Sequence, residues 1–245
     1  MAEKIQKMLS NLGYGSRRYI ESTIKKGNVF VNGKKAIIGQ YLDQKNVEEV
    51  FMNKEKIIFE QNKKLKVIIY NKPIGEICTR NDPKKRLTVF NKLPILKLSR
   101  WVCIGRLDIN TKGLLLFTNN GKLANQLMHP KNQIEREYFI RVFGKINKNT
   151  IDVLKKGVKV QNNYFAFKSI ELISNNKNKN KWFKGVLCEG KNREIRLIFN
   201  AVQCQVSKLI RVRYGNIFLP KNLKEGQCKK LNFKLLNSLC NLIKK

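Results

Sequence analysis

The hydrophobic period of this chain changes at Gly27, and that change limits the folds open to it. Before Gly27, Ile5, Met8, Leu9 and Leu12 recur at helical spacing within Glu3–Leu12, and Ile20 and Ile24 do the same within Arg17–Lys26. Gly13 ends the first segment, and Ser16 stands where a hydroxyl can cap the second. After Gly27 the period drops to two: Val29 and Val31 alternate toward Asn32-Gly33, a hairpin turn signal, and Lys34 opens the return strand. Two short helices and a basic hairpin form a module of about 60 residues, a size that is marginal for a domain standing alone. The polar run Glu60–Lys66 reads as a linker.

From Val67 onward, runs of strand length outnumber helical ones. Val67–Tyr70, Trp101–Ile104, Leu114–Thr118, Glu137–Phe143, Phe183–Cys188, Arg211–Tyr214 and Ile217–Leu219 read as strands, and Lys122–Met128 and Thr150–Lys156 as helices. Asn71–Gly75 and Asn119–Gly121 read as turns, and the lysine and asparagine tract Asn175–Lys181 as a solvated loop. The mixture lacks the regular strand–helix alternation that builds a parallel sheet. The expected class is therefore α+β, with a mostly antiparallel mixed sheet. The expected division is a small domain over 3–60, a larger one over 64–230 and a helical tail over 231–245.

The chain carries 51 Lys and Arg against 17 Asp and Glu, a formal net charge of +34. Such an excess repels itself unless a polyanion is the usual partner, which puts nucleic acid first and an anionic membrane surface second. No stretch approaches the roughly 20 apolar residues of a spanning helix, and Met1–Asn11 lacks the apolar core of a secretion signal. The expected setting is the cytoplasm, with no membrane. Six cysteines, at 78, 103, 188, 204, 228 and 240, contain no CxxC pair, and His129 is the single histidine. That set completes no common zinc site, so free buried thiols and no metal are expected.

Against this background an acid at Asp108, in CIGRLDINTKGLLLF, stands out. It falls at the end of one apolar strand, before a polar turn and a second apolar strand, which places a carboxylate at the mouth of a sheet with Arg106 close by in sequence. Spacing alone leaves two readings open: an aspartate that caps a turn, or a reactive acid.

Several blocks in order carry a resemblance. GRLDINTKGLLLFTNNG, LMHP, IEREY, EGKNREIR and VSKLIRVRYG resemble the ribosomal RNA pseudouridine synthases grouped with the small-subunit enzyme. NKPIGEICTRNDP, the spaced TVF and LP, and RWVCIGRLDINT are most similar to the large-subunit branch of that family. The first module, LSNLGYGSRRYIESTIKKGNVFVNGK, is similar to the S4-type RNA-binding domain. The matches run from about Glu3 to Gly226.

The resemblance implies an S4-type domain followed by a pseudouridine synthase domain that needs no cofactor. It makes Asp108 the catalytic acid, acting as a nucleophile at the anomeric carbon, as a stabiliser of positive charge there, or as a base toward a sugar proton. It makes Arg196 the guanidinium that keeps Asp108 ionised, and Tyr138 the ring that stacks on an extruded uracil. Arg106 and Arg80 would hold the flipped nucleotide and bases near it. Ser16, Arg17, Arg18, Lys25, Lys26 and Lys34 would grip phosphates of a stem-loop. Without the resemblance, Tyr138 reads as a core strand tyrosine, Arg196 as a phosphate contact or surface base, Arg106 as a strand salt bridge, and the basic helix as a solvated face. His129 is given no chemical role. The implied substrate is a uridine of large-subunit rRNA near the peptidyl-transferase centre, met as naked rRNA or in an assembly intermediate, by a monomer. A sibling synthase for another rRNA uridine, or an inactive RNA-binding assembly protein, are the rival readings. Two positions depart from the family pattern: Leu197 replaces a second arginine after EIR, and Gln203 stands where glycine is common.

Overall fold

The computed structural model describes residues 2–43, 46–59, 64–97, 99–160, 162–174 and 180–243. Two units emerge: Met1–Leu65 with Pro94–Val102 and Asn119–Gly121, and Lys66–Leu93 with Cys103–Thr118 and Lys122–Lys245.

In the first unit, β1 (Glu3–Lys4) runs into α1 (Ile5–Leu12), and α2 (Arg17–Lys25) follows. Gly13 closes α1 in the left-handed region at φ 100°, and the Ser16 hydroxyl accepts the Tyr19 N–H at 3.1 Å to cap α2. A cap of this kind is worth about 1 kcal/mol. Strands β2 (Val29–Val31), β3 (Lys34–Lys35), β4 (Tyr41–Leu42), β5 (Val50–Met52) and β6 (Glu55–Lys56) complete the unit. They form a four-stranded antiparallel sheet in the order β3-β2-β5-β6, with β1 paired to β4. The hairpin turns through Asn32 and Gly33, both at positive φ (47° and 77°), as a primed two-residue turn requires. Ile5, Leu9, Ile20, Val29 and Val50 are fully buried in one core, so the helical stripe and the strand alternation read from sequence meet there.

The second unit is built on one mixed sheet. Its strands are β7 (Val67–Lys72), β8 (Val102–Ile104, begun in the first unit), β9 (Lys112–Thr118), β10 (Arg136–Phe143), β13 (Ser169–Ser174), β14 (Asn180–Leu187), β15 (Gln205–Tyr214), β16 (Ile217–Phe218) and β17 (Cys228–Lys230). A separate hairpin joins β11 (Val158–Val160) to β12 (Asn163–Phe165). The sheet runs β13-β14-β10-β15-β9-β7-β17, with β16 on β15 and β8 on β9. Among the pairings of this sheet whose register is described, that of β15 with β9 is parallel and the others are antiparallel. Helices α3 (Gly121–Met128), α4 (Lys148–Lys156), α5 (Glu194–Ala201) and α6 (Phe233–Asn241) complete it. Leu114, Leu115, Leu116 and Phe117 are all fully buried, which explains a continuous apolar run where an alternating one would leave half the strand in water.

Some expectations need correction. Asn71 and Lys72 belong to β7 and not to a turn, because Asn71 still pairs in register with Leu114 and donates its N–H to the Gln227 carbonyl. The turn lies at Ile74–Gly75. Asn180 and Lys181 open β14, and 175–179 lie outside the described residues, as do 60–63 of the expected linker. Of the six free cysteines only Cys204 is buried; the others are half-buried. Reading by periodicity passed over β13, β17 and α5. The last spans barely two turns and starts at Arg193, a left-handed residue (φ 53°) that supplies no side-chain cap.

Gln203, the position where the family commonly has glycine, sits at φ 57° just after α5. A β-carbon in that region costs about 1–2 kcal/mol relative to right-handed backbone. Gln203→Gly is expected to gain about 1 kcal/mol, raising the melting temperature by roughly 2–4 °C. An unchanged or lower melting temperature would show that the glutamine is not strained there.

Candidate active site

The GRLD segment leaves β8 through Gly105 (φ 80°) and re-enters the sheet at β9, so Asp108 lies in the connection. Asp108 is half-buried, and its carboxylate accepts no hydrogen bond among the described residues. The backbone beside it is held more firmly. Leu107, on the sequence side before the acid, is buried and donates its N–H to the Cys78 sulfur at 3.4 Å. After the acid, three successive carbonyls each meet a donor from elsewhere in the fold. The Ile109 carbonyl accepts the Gly75 N–H at 2.9 Å, that of Asn110 accepts Arg196 Nη2 at 3.1 Å, and that of Thr111 accepts Lys72 Nζ at 2.9 Å. The turn closes on itself as the Thr111 N–H donates to the Asp108 carbonyl at 3.0 Å. Reactive groups are most effective when their supports leave them one geometry, and here the acid is fixed by its backbone while its oxygens stay available.

Gly113 lets β9 approach β15. A β-carbon there would fall 2.3 Å from the Arg211 carbonyl oxygen, and its φ is +105°. The parallel pairing of Arg211 with Gly113 therefore depends on glycine. It brings β15, and through β15 the strand β10, to the edge of the Asp108 turn.

Lys72 is fully buried, and its ammonium bonds the Pro73 and Thr111 carbonyls, both at 2.9 Å. Burial lowers its pKa, opposed by the negative charges of Cys78, Glu76 and Asp108. Cys78 is brought down to about 7, chiefly by a hydrogen bond from the Cys103 thiol. Arg196 sends Nη1 to the Val206 carbonyl at 3.0 Å and Nη2 to that of Asn110. Burial lowers its pKa and the charge of Asp108 acts against that. Among the described residues no direct ion pair joins the two; the expectation was of a guanidinium that keeps Asp108 ionised, and the two charges act on each other through space. Arg196 acts on Asp108 at a distance as a charge, and by contact as a clamp on the residue two positions on.

A cleft of about 1020 Å³ opens over the turn. Asp108, Arg106, Tyr138, Arg196 and Arg211 line it, so three residues far apart in sequence meet the acid there. Tyr138 is 7% exposed, on the inward side of β10 opposite Arg211 of β15, and its hydroxyl has no partner among the described residues. Arg106 is exposed and makes no hydrogen bond or ion pair among them, so the strand salt bridge it could have formed is not what it does. Arg80 is placed differently from the expectation: its guanidinium lies over the Phe90 ring, 4.2 Å from the centroid, and it is not among the lining residues. Its neighbours Thr79, Asn81, Asp82 and Arg86 are. Asp82 and Arg86 form a two-pronged pair at 3.0 and 2.8 Å, the kind of brace that shapes a loop. His129 caps a short 3₁₀ turn, its Nδ1 accepting the Lys131 N–H, and does not line the cleft.

The site also holds residues that periodicity did not single out. Arg211 is 2% exposed and donates Nε to the Leu114 carbonyl at 2.7 Å. Arg136, 7% exposed, binds the Cys188 carbonyl and the Tyr214 hydroxyl. Glu194 is 4% exposed, accepts the Lys191 N–H, and burial pushes its carboxyl up to about 7. The one sequence signal for the two arginines was their placement within strands of alternating burial, where a guanidinium on the inward side must find carbonyls. On the first unit, Arg17, Arg18, Lys25, Lys26 and Lys34 are exposed, while the Ser16 oxygen is already engaged as the α2 cap.

Residues 66–201 match the RNA pseudouridylate synthase family, and residues 3–42 match the S4 domain. The chain is similar to ribosomal large subunit pseudouridine synthase B of Buchnera aphidicola subsp. Schizaphis graminum (strain Sg): 66% identical over 99% of this chain and 95% of the relative. It is 45% identical to the protein of that name from Escherichia coli (strain K12), over 99% of this chain and 84% of the relative. A crystal structure of a pseudouridylate synthase superposes with a TM-score of 0.67 at 20% identity, covering 96% of this chain and 99% of the other, which shows a shared fold. With more than half its length matched and near-complete coverage at high identity, this chain belongs to the RNA pseudouridylate synthase family.

Proposed function

We propose that this protein isomerises one uridine of large-subunit rRNA, near the peptidyl-transferase centre, to pseudouridine. The observation that carries the reading is the Asp108 carboxylate, without a hydrogen-bond donor among the described residues, on a turn held at three successive carbonyls, in a cleft it shares with Tyr138 and six arginines. The names of the similar synthases supply the substrate class.

In this reaction the bond from the anomeric carbon to N1 breaks, the base turns, and a bond from the same carbon to C5 forms. C5 then loses its proton while N1 gains one, so no atom of the nucleoside but hydrogen exchanges. Asp108 meets the anomeric region as nucleophile, charge stabiliser or base. Tyr138 stacks on the extruded uracil, and Arg106 holds its phosphate. Arg196 is a positioning residue in this scheme. Residues 3–60 serve as the RNA-gripping domain, 64–230 as the catalytic one, and 231–245 as a tail. No cofactor enters, and the setting is a monomer in the cytoplasm. Among the described residues no helix is long and apolar enough to cross a membrane.

The reaction leaves mass unchanged, so release of tritium from C5-labelled uridine in large-subunit rRNA transcripts is the direct test. Carbodiimide mapping of rRNA from cells lacking the protein locates the uridine. Release from no rRNA transcript or assembly intermediate would favour an inactive assembly protein, and a lost mark elsewhere in rRNA would favour a sibling activity.

For the first domain, Arg17→Ala with Arg18→Ala removes two exposed guanidiniums from α2. Each lost phosphate contact flattens the log-affinity against log-salt slope by about 0.7–0.9. The pair is expected to weaken binding and flatten the slope by about 1.5, with turnover at saturating RNA little changed. Identical binding across a salt series would make this helix face a merely solvated one.

A further inference from the structure

The strand that presents Tyr138 to the cleft has a second face. Along β10, Arg136, Tyr138, Ile140 and Val142 are buried, while Phe139 and Phe143 are 37% and 47% exposed, with Arg141 between them. The register extends this outward face onto both neighbouring strands. Phe139 lies opposite Lys184 of β14 and Ile210 of β15, and Arg141 lies opposite Trp182 and Lys208. Trp182 and Lys184 are half-buried and Lys208 is exposed. Lys184 has a long contact with Glu171 at 3.7 Å. Arg141 and Lys208 have no acidic partner among the described residues, and Arg141 Nε is buried without an acceptor.

We propose that this outward face binds single-stranded RNA, with bases stacked on Phe139 and Phe143 and phosphates held by Arg141, Lys184 and Lys208. Exposed phenylalanines on a strand cost solvation unless something flat and apolar covers them, and a nucleobase offers a π-face of any sequence. The cations between them decide which class of occupant fits. A second copy of this chain would bring its own +34 against this basic face, whereas a polyanion releases counterions on binding. The two rings stand about 14 Å apart along the strand, four residues at the usual rise, with Arg141 between them for the intervening backbone. One strand thus serves both sides: its inward residues line the cleft and its outward residues anchor RNA beyond the target nucleotide. The surface does not depend on which uridine the cleft takes.

The test uses the full chain and a labelled oligoadenylate of about 12 nucleotides, within the footprint of known stacking platforms. Phe139→Ala with Phe143→Ala is expected to weaken its binding about tenfold or more, since each stack contributes roughly 1–3 kcal/mol. Phe139→Tyr with Phe143→Tyr keeps the rings and is expected to bind as the unsubstituted protein does. An oligonucleotide bearing 4-thiouridine is expected to photocrosslink within 139–143 of the unsubstituted protein, which tests the surface even if the alanine pair folds poorly. Tritium release from a saturating minimal stem-loop is expected to be unchanged by the tyrosine pair. Equal oligonucleotide binding by the alanine pair, crosslinks confined to the cleft or the first unit, or a change in self-association in place of RNA affinity would each overturn the proposal.

Discussion

Asp108→Asn is expected to fold, to bind the rRNA stem-loop as the wild type does, and to release no measurable tritium, a loss of at least about a thousandfold in turnover. The carboxylate accepts no hydrogen bond within the described protein, so replacing one oxygen by an amide disturbs no internal partner. The turn is held at the carbonyls of Ile109, Asn110 and Thr111 and at the Leu107 N–H, none of which the substitution touches. Stability should therefore stay within about 0.5 kcal/mol, the range for sites without such features. What disappears is the negative charge and nucleophilicity at the one place where the anomeric carbon would meet them. A mutant that turned over normally would remove Asp108 from the chemistry, and one that melted early would show that the acid has an unseen structural role.

The second large effect belongs to Arg196. Arg196→Met strips the Asn110 and Val206 carbonyls of a charged donor and removes the guanidinium charge near Asp108. Hydrogen bonds from charged donors contribute about 1.5–3 kcal/mol each, so a stability loss of about 2–4 kcal/mol is expected after partial hydration of this half-buried site. Misplacing a reacting group by about 1 Å costs on the order of a hundredfold, and the fall is expected in kcat with KM for RNA nearly unchanged. Arg196→Lys separates the two contributions. It restores a positive charge, but an ammonium cannot span both carbonyls as the fork does. If clamping dominates, lysine recovers little of the turnover. Full recovery by lysine would show that charge alone is what Asp108 needs.

Much of this protein was legible in local pattern. The stripe Ile5–Leu12 and the alternation Val29–Val31 predicted elements that differ from the observed ones by a residue or two, because burial of one face is a local demand and the chain either meets it or does not. Asn32-Gly33 marked its turn for the same reason, since positive φ is a property of single residues. The block order around GRLD pointed to Asp108 before any contact was known. Less was legible where a short element owes its form to distant partners. α5 has no cap and little length, and it exists because Ile195, Ile198 and Phe199 are buried in the second unit's core.

The sequence by itself determined the α+β class, the strongly basic charge, the S4-like opening and the position of the acid now proposed as catalytic, since periodicity, charge and motif order are written residue by residue. The tertiary structure alone decided how that acid is held: Gly75, Lys72 and Arg196 reach one turn from three separate segments. It also showed that Arg196 hydrogen-bonds the Asn110 and Val206 carbonyls, that Arg80 rests on Phe90, and that β10 has one buried and one partly exposed face. Such facts depend on which donor arrives within about 3 Å of which carbonyl, and that distance is set by the packing of the whole sheet, which no local pattern encodes.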